Sequence, residues 1–208
     1  MVYAIDDFAR ESNVSRETLQ DYERWHSLLL KWNKKINLVS PFALEEFWRR
    51  HALDSWQITP HIPDNSDHCI DLGSGAGFPG IAVAIAAKHK NSNRDILMVE
   101  SAGKKASFLR TVIRELGLPA LVSSQRAEEL PAKSYDVISA RAFAPLDRLF
   151  NYAQPFWGNE TIGLFLKGEN VDAEITDAHK SWIYNVEKIS SRSDSAGCIL
   201  KISGLTRK

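Results

Sequence analysis

Hydrophobic and polar residues change their spacing repeatedly along the chain after residue 65. Short apolar runs suited to buried strands alternate with stretches in which apolar residues recur every three or four positions, as in an α-helix. Residues 104–117, for example, predict a helix that ends at Gly117. The first predicted strand ends at Asp71, and six more are predicted at 95–99, 120–124, 135–140, 161–166, 182–189 and 198–202.

The order of these elements predicts an α/β protein with a Rossmann-like, seven-stranded sheet. Strands joined through helices are expected to be parallel, because such crossovers are right-handed. The short link between residues 190 and 197 instead suits an antiparallel hairpin. We therefore expect a mostly parallel sheet that ends in an antiparallel strand.

The first 60 or so residues predict helices and precede the strand pattern, so we expect a helical extension over 1–64 and the sheet domain over 65–208. Ser15 is a candidate helix cap, and apolar residues follow it at helical spacing up to Trp32. A second helical stretch, 44–56, mixes aromatic residues with Arg49, Arg50 and His51. Such residues can stack on nucleic-acid bases, but a packed helical face is the favoured interpretation.

A glycine-rich segment, DLGSGAGFPG at 71–80, follows the first predicted strand. Glycine permits positive φ and has no Cβ to hold a ligand away from the backbone, so the segment indicates a cofactor loop. The dinucleotide pattern Gly-x-Gly-x-x-Gly fits only from Gly75, several residues past the strand and with Pro79 inside it. The spacing from Asp71 to Gly77 instead favours S-adenosylmethionine, with Asp71 accepting a hydrogen bond from the ammonium group of the cofactor. A glycine turn without a ligand is the remaining alternative.

Glu100 follows the second predicted strand, at about the spacing from the loop where a carboxylate can bind ribose hydroxyls. We therefore expect Glu100 to be the ribose ligand. An acidic residue at the end of a strand also serves as a helix cap, and Ser101 is equally suited to that role.

Composition limits the remaining functions. The chain has 26 basic and 26 acidic residues among 208, so any RNA contact is expected to be a local patch. An apolar run long enough to span a membrane is absent from the sequence, and so is a signal-peptide pattern at its N-terminus, which predicts a cytoplasmic protein. Cys69 and Cys198 are far apart and show no metal-ligand spacing, so we expect no metal.

The segment after the fourth strand, 139–145, should border the reacting group, because ligands of parallel sheets bind at the carboxyl ends of strands. It contains Arg141 but neither a cysteine nor the Asn/Asp-Pro-Pro-Tyr/Phe sequence suited to exocyclic amines. A ring nitrogen with a free lone pair, such as guanine N7, loses no proton when it is methylated. Catalysis of such a transfer depends mainly on positioning.

Seven segments, by their order and spacing, resemble the ribosomal RNA small subunit methyltransferase G family of guanine-N7 methyltransferases, also called glucose-inhibited division protein B. They are KWNKKINL (31–38), RHALDS (50–55), the glycine loop (71–80), KKASFL (104–109), RAEE (126–129), SARAFA (139–144) and LKG (166–168). The resemblance covers nearly the whole chain and implies a class I S-adenosylmethionine-dependent methyltransferase.

The resemblance also implies a substrate and a set of site residues. The substrate is expected to be a guanine in the decoding-region loop of 16S rRNA, within the 30S subunit, and the enzyme is expected to be a monomer. The resemblance implies cofactor contacts at Gly73, Phe78, Ala127, Glu128 and Arg141, to which the loop and strand-end positions add Asp71, Gly75 and Glu100. From its position after the fourth strand, Arg141 is also the candidate catalytic residue, orienting the methionine end of the cofactor or the guanine. The local basic residues Lys34, Arg50, Arg126 and Lys167 are the expected phosphate contacts.

Two functions from other classes remain as alternatives. An NAD-dependent oxidoreductase would need a proton-transfer pair, but Tyr184 and Lys188 lie on a predicted strand, about 13 Å apart. A ribosome assembly factor with a vestigial cofactor pocket would bind the small subunit without transferring a methyl group.

Overall fold

The computed structural model describes residues 3–90 and 92–208. The α-helices are α1 (Ile5–Ser12), α2 (Arg16–Asn33), α3 (Pro41–Glu45), α4 (Asp54–Trp56), α5 (Gly80–His89), α6 (Gly103–Leu116), α7 (Leu146–Ala153) and α8 (Val171–Ala178). A π-helix covers Phe47–Leu53, and 3-10 helices cover Thr59–His61, Ala127–Glu129 and Gln154–Phe156. The strands are β1 (His68–Leu72), β2 (Asp95–Val99), β3 (Ala120–Ser123), β4 (Tyr135–Arg141), β5 (Trp157–Lys167), β6 (Trp182–Ser190) and β7 (Cys198–Arg207).

The seven strands form one sheet in the order β3-β2-β1-β4-β5-β7-β6. The first five strands are parallel to one another, whereas β7 lies antiparallel between β5 and β6. The predicted α/β class, the number of strands and the antiparallel hairpin at the end of the sheet are therefore confirmed. Because β1 and β4 lie next to each other, their carboxyl ends and the loops that follow them share one edge of the sheet.

Two strands, β5 and β7, are longer than the sequence predicts by several residues. β5 begins at Trp157 rather than at residue 161, and β7 continues to Arg207 although its prediction ended at residue 202. Gly204 has a φ of +63° within β7. Pairing with β6 continues beyond it, with a shift of register between Ile183 and Asn185.

The predicted second helical stretch is helical but does not form one regular α-helix. It begins in α3, turns at Glu46, continues as the π-helix and ends in α4. A π-helix bonds to the fifth residue along the chain rather than the fourth and changes the direction of the side chains. This segment carries Arg49, Arg50 and His51 towards the carboxyl end of β4, as their contacts below show.

The helical extension packs on the sheet domain through a shared hydrophobic cluster. Trp25 is fully buried and contacts the Phe47 and Phe78 rings, with ring centroids 5.6 Å and 5.1 Å away. Trp32, Trp48 and Trp56 are partly buried against the same cluster. The favoured interpretation of these aromatics as a packed face is thus confirmed. The boundary between residues 64 and 65 stays a prediction.

Side chains of β1 and β4 alternate between two hydrophobic clusters on opposite faces of the sheet. Cys69 and Val137 belong to the cluster that contains α5, whereas Ile70 and Ile138 belong to the cluster that contains α7. The period of two places Asp71 on the face of α5, opposite Ser139 in the strand register. Among the helices of the described residues, none combines the length and the apolar character needed to cross a membrane.

Candidate active site

The glycine loop after β1 depends on backbone conformations that favour glycine. Gly73 has a φ of +68° and Gly75 a φ of +57°, both in the left-handed region that L-residues with a Cβ rarely adopt. A Cβ at Gly73 would lie 2.2 Å from a ring carbon of Phe143. The loop therefore lies directly against the segment that follows β4, which brings the carboxyl ends of β1 and β4 together.

Asp71 supports this loop from inside the protein. Ser139 Oγ donates to Asp71 Oδ1 at 2.7 Å, and the Gly80 amide donates to Oδ2 at 3.2 Å. The side chain is 1% exposed, and burial raises the pKa of Asp71 to about 6, against the opposing effect of these hydrogen bonds. The carboxylate thus joins β4 and the start of α5 to β1, because the alternation of β1 directs residue 71 towards α5. The expected contact with the cofactor's ammonium group stays a prediction.

Glu100 connects the glycine loop to the end of β2. Its Oε2 accepts from the Gly75 amide at 2.9 Å, and its Oε1 accepts from the Ala102 amide at 2.7 Å. The second bond holds the residue that precedes α6, and Ala102, the N-cap residue of that helix, makes no side-chain cap bond, so the alternative role of Glu100 or Ser101 as a helix cap is not observed. A carboxylate has about four acceptor positions. Both oxygens therefore retain capacity for a hydroxyl group of a ligand.

A cavity of about 250 Å³ lies over the glycine loop, and we call it the loop cavity. Phe143, Tyr152 and Lys105 line it. Most of the expected cofactor residues line it as well, namely Gly73, Gly75, Glu100, Ala127 and Glu128. Ala127 begins the 3-10 helix that follows β3 and is buried, whereas Glu128 is exposed at the rim. The structure thus brings residues from β1, β2, β3 and β4 together around one space.

Arg141, at the end of β4, is held by the helical extension. Its Nη1 donates to the Arg50 carbonyl at 2.9 Å and lies 3.0 Å from Asp54 Oδ2. Its Nη2 lies 3.1 Å from His51 Nδ1. Since arginine only donates, Nδ1 must accept, and the proton of the neutral imidazole is on Nε2. Burial, together with the charges of Arg141 and Arg50, lowers the pKa of His51 to about 3.

Asp54 balances the charge of Arg141 in this partly buried place. Burial raises the pKa of Asp54, while Arg141 and a hydrogen bond from Ser193 act in the opposite direction. Ser193 Oγ donates to Asp54 Oδ1 at 2.6 Å, which brings the loop between β6 and β7 into the same network. Arg141 is therefore held directly by residues 50–54, and the loop between β6 and β7 supports it through Asp54.

A larger cavity, of about 730 Å³, begins where the loop cavity ends, and we call it the arginine cavity. Arg49, Arg50 and Arg141 line it, and Ala142 and Phe143 line both cavities. Ala142 has a φ of +50°, a conformation that is rare outside glycine and clusters at functional sites. The two cavities thus share one wall, directly after β4.

Phe78 is placed differently from the other expected cofactor residues. Its ring stacks on His51 with centroids 4.1 Å apart and planes 10° apart, and the Arg141 guanidinium lies 5.3 Å from its centroid. The ring is 8% exposed and is absent from the linings of both cavities. Its observed role is to pack the glycine loop against the extension that holds Arg141.

The comparisons with known proteins agree with this geometry. The sequence profile of the rRNA small subunit methyltransferase G (GidB) family matches residues 18–197. The chain belongs to this family. It is 48% identical over 202 residues to ribosomal RNA small subunit methyltransferase G of Parvibaculum lavamentivorans, covering 96% of this chain and 89% of the relative. The protein of the same name from Hyphomonas neptunium is 42% identical, with 97% and 95% covered.

Solved structures of distant sequence share the fold. The ribosomal protein L11 methylase of Lactobacillus delbrueckii subsp. bulgaricus superposes with a TM-score of 0.58 at 16% identity, over 74% of this chain and 76% of that chain. An MtNAS variant in complex with S-adenosylmethionine gives a TM-score of 0.56 at 13% identity, over 96% and 83%. These similarities confirm the class I methyltransferase fold of the family member described here.

The residues expected to contact RNA phosphates have different surroundings in this family member. Arg50 is exposed at the arginine cavity, Arg126 lines the loop cavity, and Lys34 is exposed at the end of α2. Lys167 also borders the arginine cavity, but its ammonium donates to the Ala144 carbonyl and to Glu174, both at 2.7 Å. Its side chain is only 10% exposed. We therefore do not carry Lys167 into the RNA interface proposed below.

Three residues of the site, Asp54, Ser139 and Phe143, had no role predicted from the sequence, and His51 was named only as part of a stretch that could contact RNA. Ser139 could have been identified from the sequence, because a polar residue in a central parallel strand interrupts an otherwise apolar run. Asp54 is an acid in a segment rich in arginine and tryptophan. Its partner Arg141, however, is distant in the sequence, and only the folded chain reveals the pair. Within residues 3–90 and 92–208, the His, Cys, Asp and Glu side chains form no group of three that could hold a metal ion. Metal-independent chemistry stays a prediction.

Proposed function

We propose that this protein transfers the methyl group of S-adenosylmethionine to N7 of a guanine in 16S rRNA. The observation that carries the proposal is the shared wall, Ala142 and Phe143, between the loop cavity and the arginine cavity. One cavity has the residues of a cofactor site, and the other is lined by guanidinium groups suited to RNA. The printed name of the relatives, ribosomal RNA small subunit methyltransferase G, supports the same substrate class.

The residues around the loop cavity fit the adenosine part of this cofactor. Gly73 has no space for a Cβ beside Phe143, so the backbone itself forms the floor on which a ligand can lie. Glu100 keeps acceptor capacity for ribose hydroxyls, and Ala127 and Glu128 lie where they can meet the polar edge of adenine. Asp71 braces the loop from inside the protein.

When bound, S-adenosylmethionine supplies an electrophilic methyl group on a positively charged sulfur. In this proposal, Arg141 orients the methionine end or the guanine, and Asp54 and His51 hold its guanidinium group in position. N7 uses its lone pair and has no proton to lose, so no side chain needs to act as a base. Catalysis is then a matter of positioning, which can contribute up to about 7–11 kcal/mol in favourable cases.

The proposal includes the setting in which the reaction takes place. We place it in the cytoplasm, on a guanine of the decoding-region loop, with an assembled 30S subunit as the substrate and the enzyme acting as a monomer. The balanced charge of the chain, with 26 basic and 26 acidic residues, supports RNA binding through local contacts such as those proposed for Arg50 and Arg126. A protein that bound naked RNA through charge alone would need a broader basic surface.

A methyl-transfer assay tests the function. Purified protein is incubated with methyl-tritiated S-adenosylmethionine and 30S subunits that lack the modification, and the labelled nucleotide is then mapped by mass spectrometry. We expect one guanine of 16S rRNA to carry the label as N7-methylguanine. Naked 16S rRNA, assayed in parallel, establishes whether the assembled particle is required.

Other outcomes, of this assay or of calorimetry with the two cofactors, would contradict the proposal in distinct ways. Binding to 30S subunits without transfer of label would favour a non-catalytic assembly factor. Tight binding of NAD in calorimetry, with none of S-adenosylmethionine, would favour an oxidoreductase. Label on an exocyclic amine or on carbon would show that N7 is the wrong acceptor.

A further inference from the structure

Phe42 is a large aromatic side chain that the fold leaves exposed. Four large apolar side chains are exposed among the described residues, namely Leu30, Phe42, Leu121 and Ile183. Phe42 is the aromatic member of this set, and it is 60% exposed. The other aromatics of the helical extension pack against the hydrophobic cluster instead. The exposure of Phe42 therefore needs a separate explanation.

The segment that presents Phe42 is held by several hydrogen bonds. Asn33 Oδ1 accepts from the amides of Leu38 and Val39, and Asn33 Nδ2 donates to the Val39 carbonyl. Ser40 then caps α3 by accepting from the Ala43 amide at 3.2 Å. These contacts fix the start of α3, where Phe42 is the second residue. The ring is thus presented on a defined backbone rather than on a loose loop.

Phe42 lies beside the rim of the arginine cavity. The Arg50 guanidinium carbon is 5.5 Å from the centroid of its ring, which is a cation–π contact. Arg50 also lines the cavity, as do Arg49 and Glu46, which follows Phe42 by one helical turn. An aromatic ring and guanidinium groups therefore lie side by side at the entrance to the proposed guanine site.

We infer that Phe42 is a stacking platform for an unpaired base of the RNA substrate, next to the methylated guanine, while Arg50 contacts the adjoining phosphate. This inference rests on the proposed function. Single-stranded RNA is bound by stacking its bases on aromatic or guanidinium planes and by pairing its phosphates with cations. Phe42 and Arg50 supply both kinds of contact at one place. A partner that offered only an apolar surface would gain nothing from the guanidinium beside the ring.

Substitutions at Phe42 test the inference by comparing a small side chain, an aliphatic one and an aromatic one at this position. Phe42→Ala, Phe42→Leu and Phe42→Tyr are measured for binding to unmodified 30S subunits at several salt concentrations, with Leu121→Ala as a matched control. Leu121 is 72% exposed on β3, at the far edge of the sheet. All these residues are exposed, so folding should be preserved.

We expect Phe42→Ala and Phe42→Leu to weaken binding by roughly 5- to 100-fold, since this is the range measured for losing one base stack. Phe42→Tyr and Leu121→Ala should bind as the wild-type protein does. Phe42→Ala should leave the salt dependence of binding unchanged, whereas Arg50→Gln should lower its slope by about one. In methyl transfer, Phe42→Ala should raise KM with little change in kcat, because the contact lies away from the reacting atoms.

Three results would overturn the inference. Phe42→Leu could bind like the wild type, which would indicate an apolar protein contact. A photo-crosslinking residue at position 42 could attach to a ribosomal protein instead of to 16S rRNA. Phe42→Ala could also have no effect on binding. If the wild-type protein transferred no methyl group while Phe42 still determined binding, the proposed function would fail and the stacking would stand.

Discussion

Arg141 and Asp54 form an ion pair with a distance of 3.0 Å between Nη1 and Oδ2. It joins the end of β4 to the first residue of α4, so a side chain of the helical extension holds the candidate catalytic residue. The side chains are 22% and 16% exposed, so water screens the pair only in part. The extension is therefore expected to be part of the catalytic machinery as well as of the fold.

Removing the Asp54 carboxylate tests two expected roles of the pair with Arg141, its contribution to stability and its contribution to methyl transfer. We expect Asp54→Ala to lower the free energy of unfolding by about 3 kcal/mol, because Arg141 is left without its partner in a partly buried site. Methyl transfer should fall strongly as well. The double variant Asp54→Ala with Arg141→Gln should recover part of the stability, measured by urea unfolding, but none of the transfer. Additive losses of stability would show that the two residues are not coupled.

The pH dependence of stability should report the burial of Asp71. Burial raises the folded-state pKa of Asp71 to about 6 from the ordinary 3.8, so the folded protein binds this proton more tightly than the unfolded chain does. The stabilisation is present below about pH 4 and is lost as the pH rises through 6. It amounts to at most about 3 kcal/mol.

Asp71→Asn is the matched control, since the amide has nearly the same shape and does not titrate. Between pH 4 and 7, urea unfolding should show the wild-type protein losing up to about 3 kcal/mol relative to this variant. Parallel pH profiles of the two proteins would mean that the carboxyl group has an ordinary pKa in the folded state.

Substitutions in the glycine loop should have graded effects on cofactor affinity. Gly73→Ala combines a strained positive φ with a Cβ 2.2 Å from Phe143, which must move the ring that lines both cavities. We expect calorimetry to show affinity for S-adenosylmethionine lower by about tenfold or more. Gly75→Ala has the strain without the clash, because its nearest neighbour is 3.8 Å away, and it should lose less.

Gly103→Ala provides the reference for this series. Gly103 is the first residue of α6. Apart from its chain neighbours and the backbone of α6 itself, no atom of the described residues lies within 4 Å of a Cβ added there. We expect unchanged affinity and slightly higher stability, since alanine favours a helix more than glycine does. Equal losses for all three substitutions would argue against a specific role of the loop.

Arg50 and Lys167 should behave differently although the sequence suggested the same role for both. Arg50→Gln should reduce the slope of the logarithm of RNA affinity against the logarithm of salt concentration by about one. Lys167→Gln should leave that slope unchanged and should destabilise the fold by about 1–3 kcal/mol, because Glu174 loses its buried partner. A reduced slope for Lys167→Gln would restore the phosphate contact expected from the sequence.

Several parts of the site could be predicted because they depend on residues that are close to one another in the sequence. The glycine pattern at 71–80 predicted a loop that requires positive φ, and the end of β2 correctly placed Glu100 beside it. The contacts of Asp71 were not predictable in the same way. Its direction depends on which helix covers that face of the sheet, and its partner Ser139 lies 68 residues away.

The sequence alone determined the alternation of strands and helices, the glycine-rich loop and the family, since periodicity, turn chemistry and motif order are local properties. Only the tertiary structure decided which side chains line the two cavities and which contact each other. Phe78 packs on His51, Lys167 pairs with Glu174, and Arg141 pairs with Asp54. The physical reason is that a buried or partly buried charge or ring takes the partner that packing brings to it, and packing joins segments that are remote along the chain.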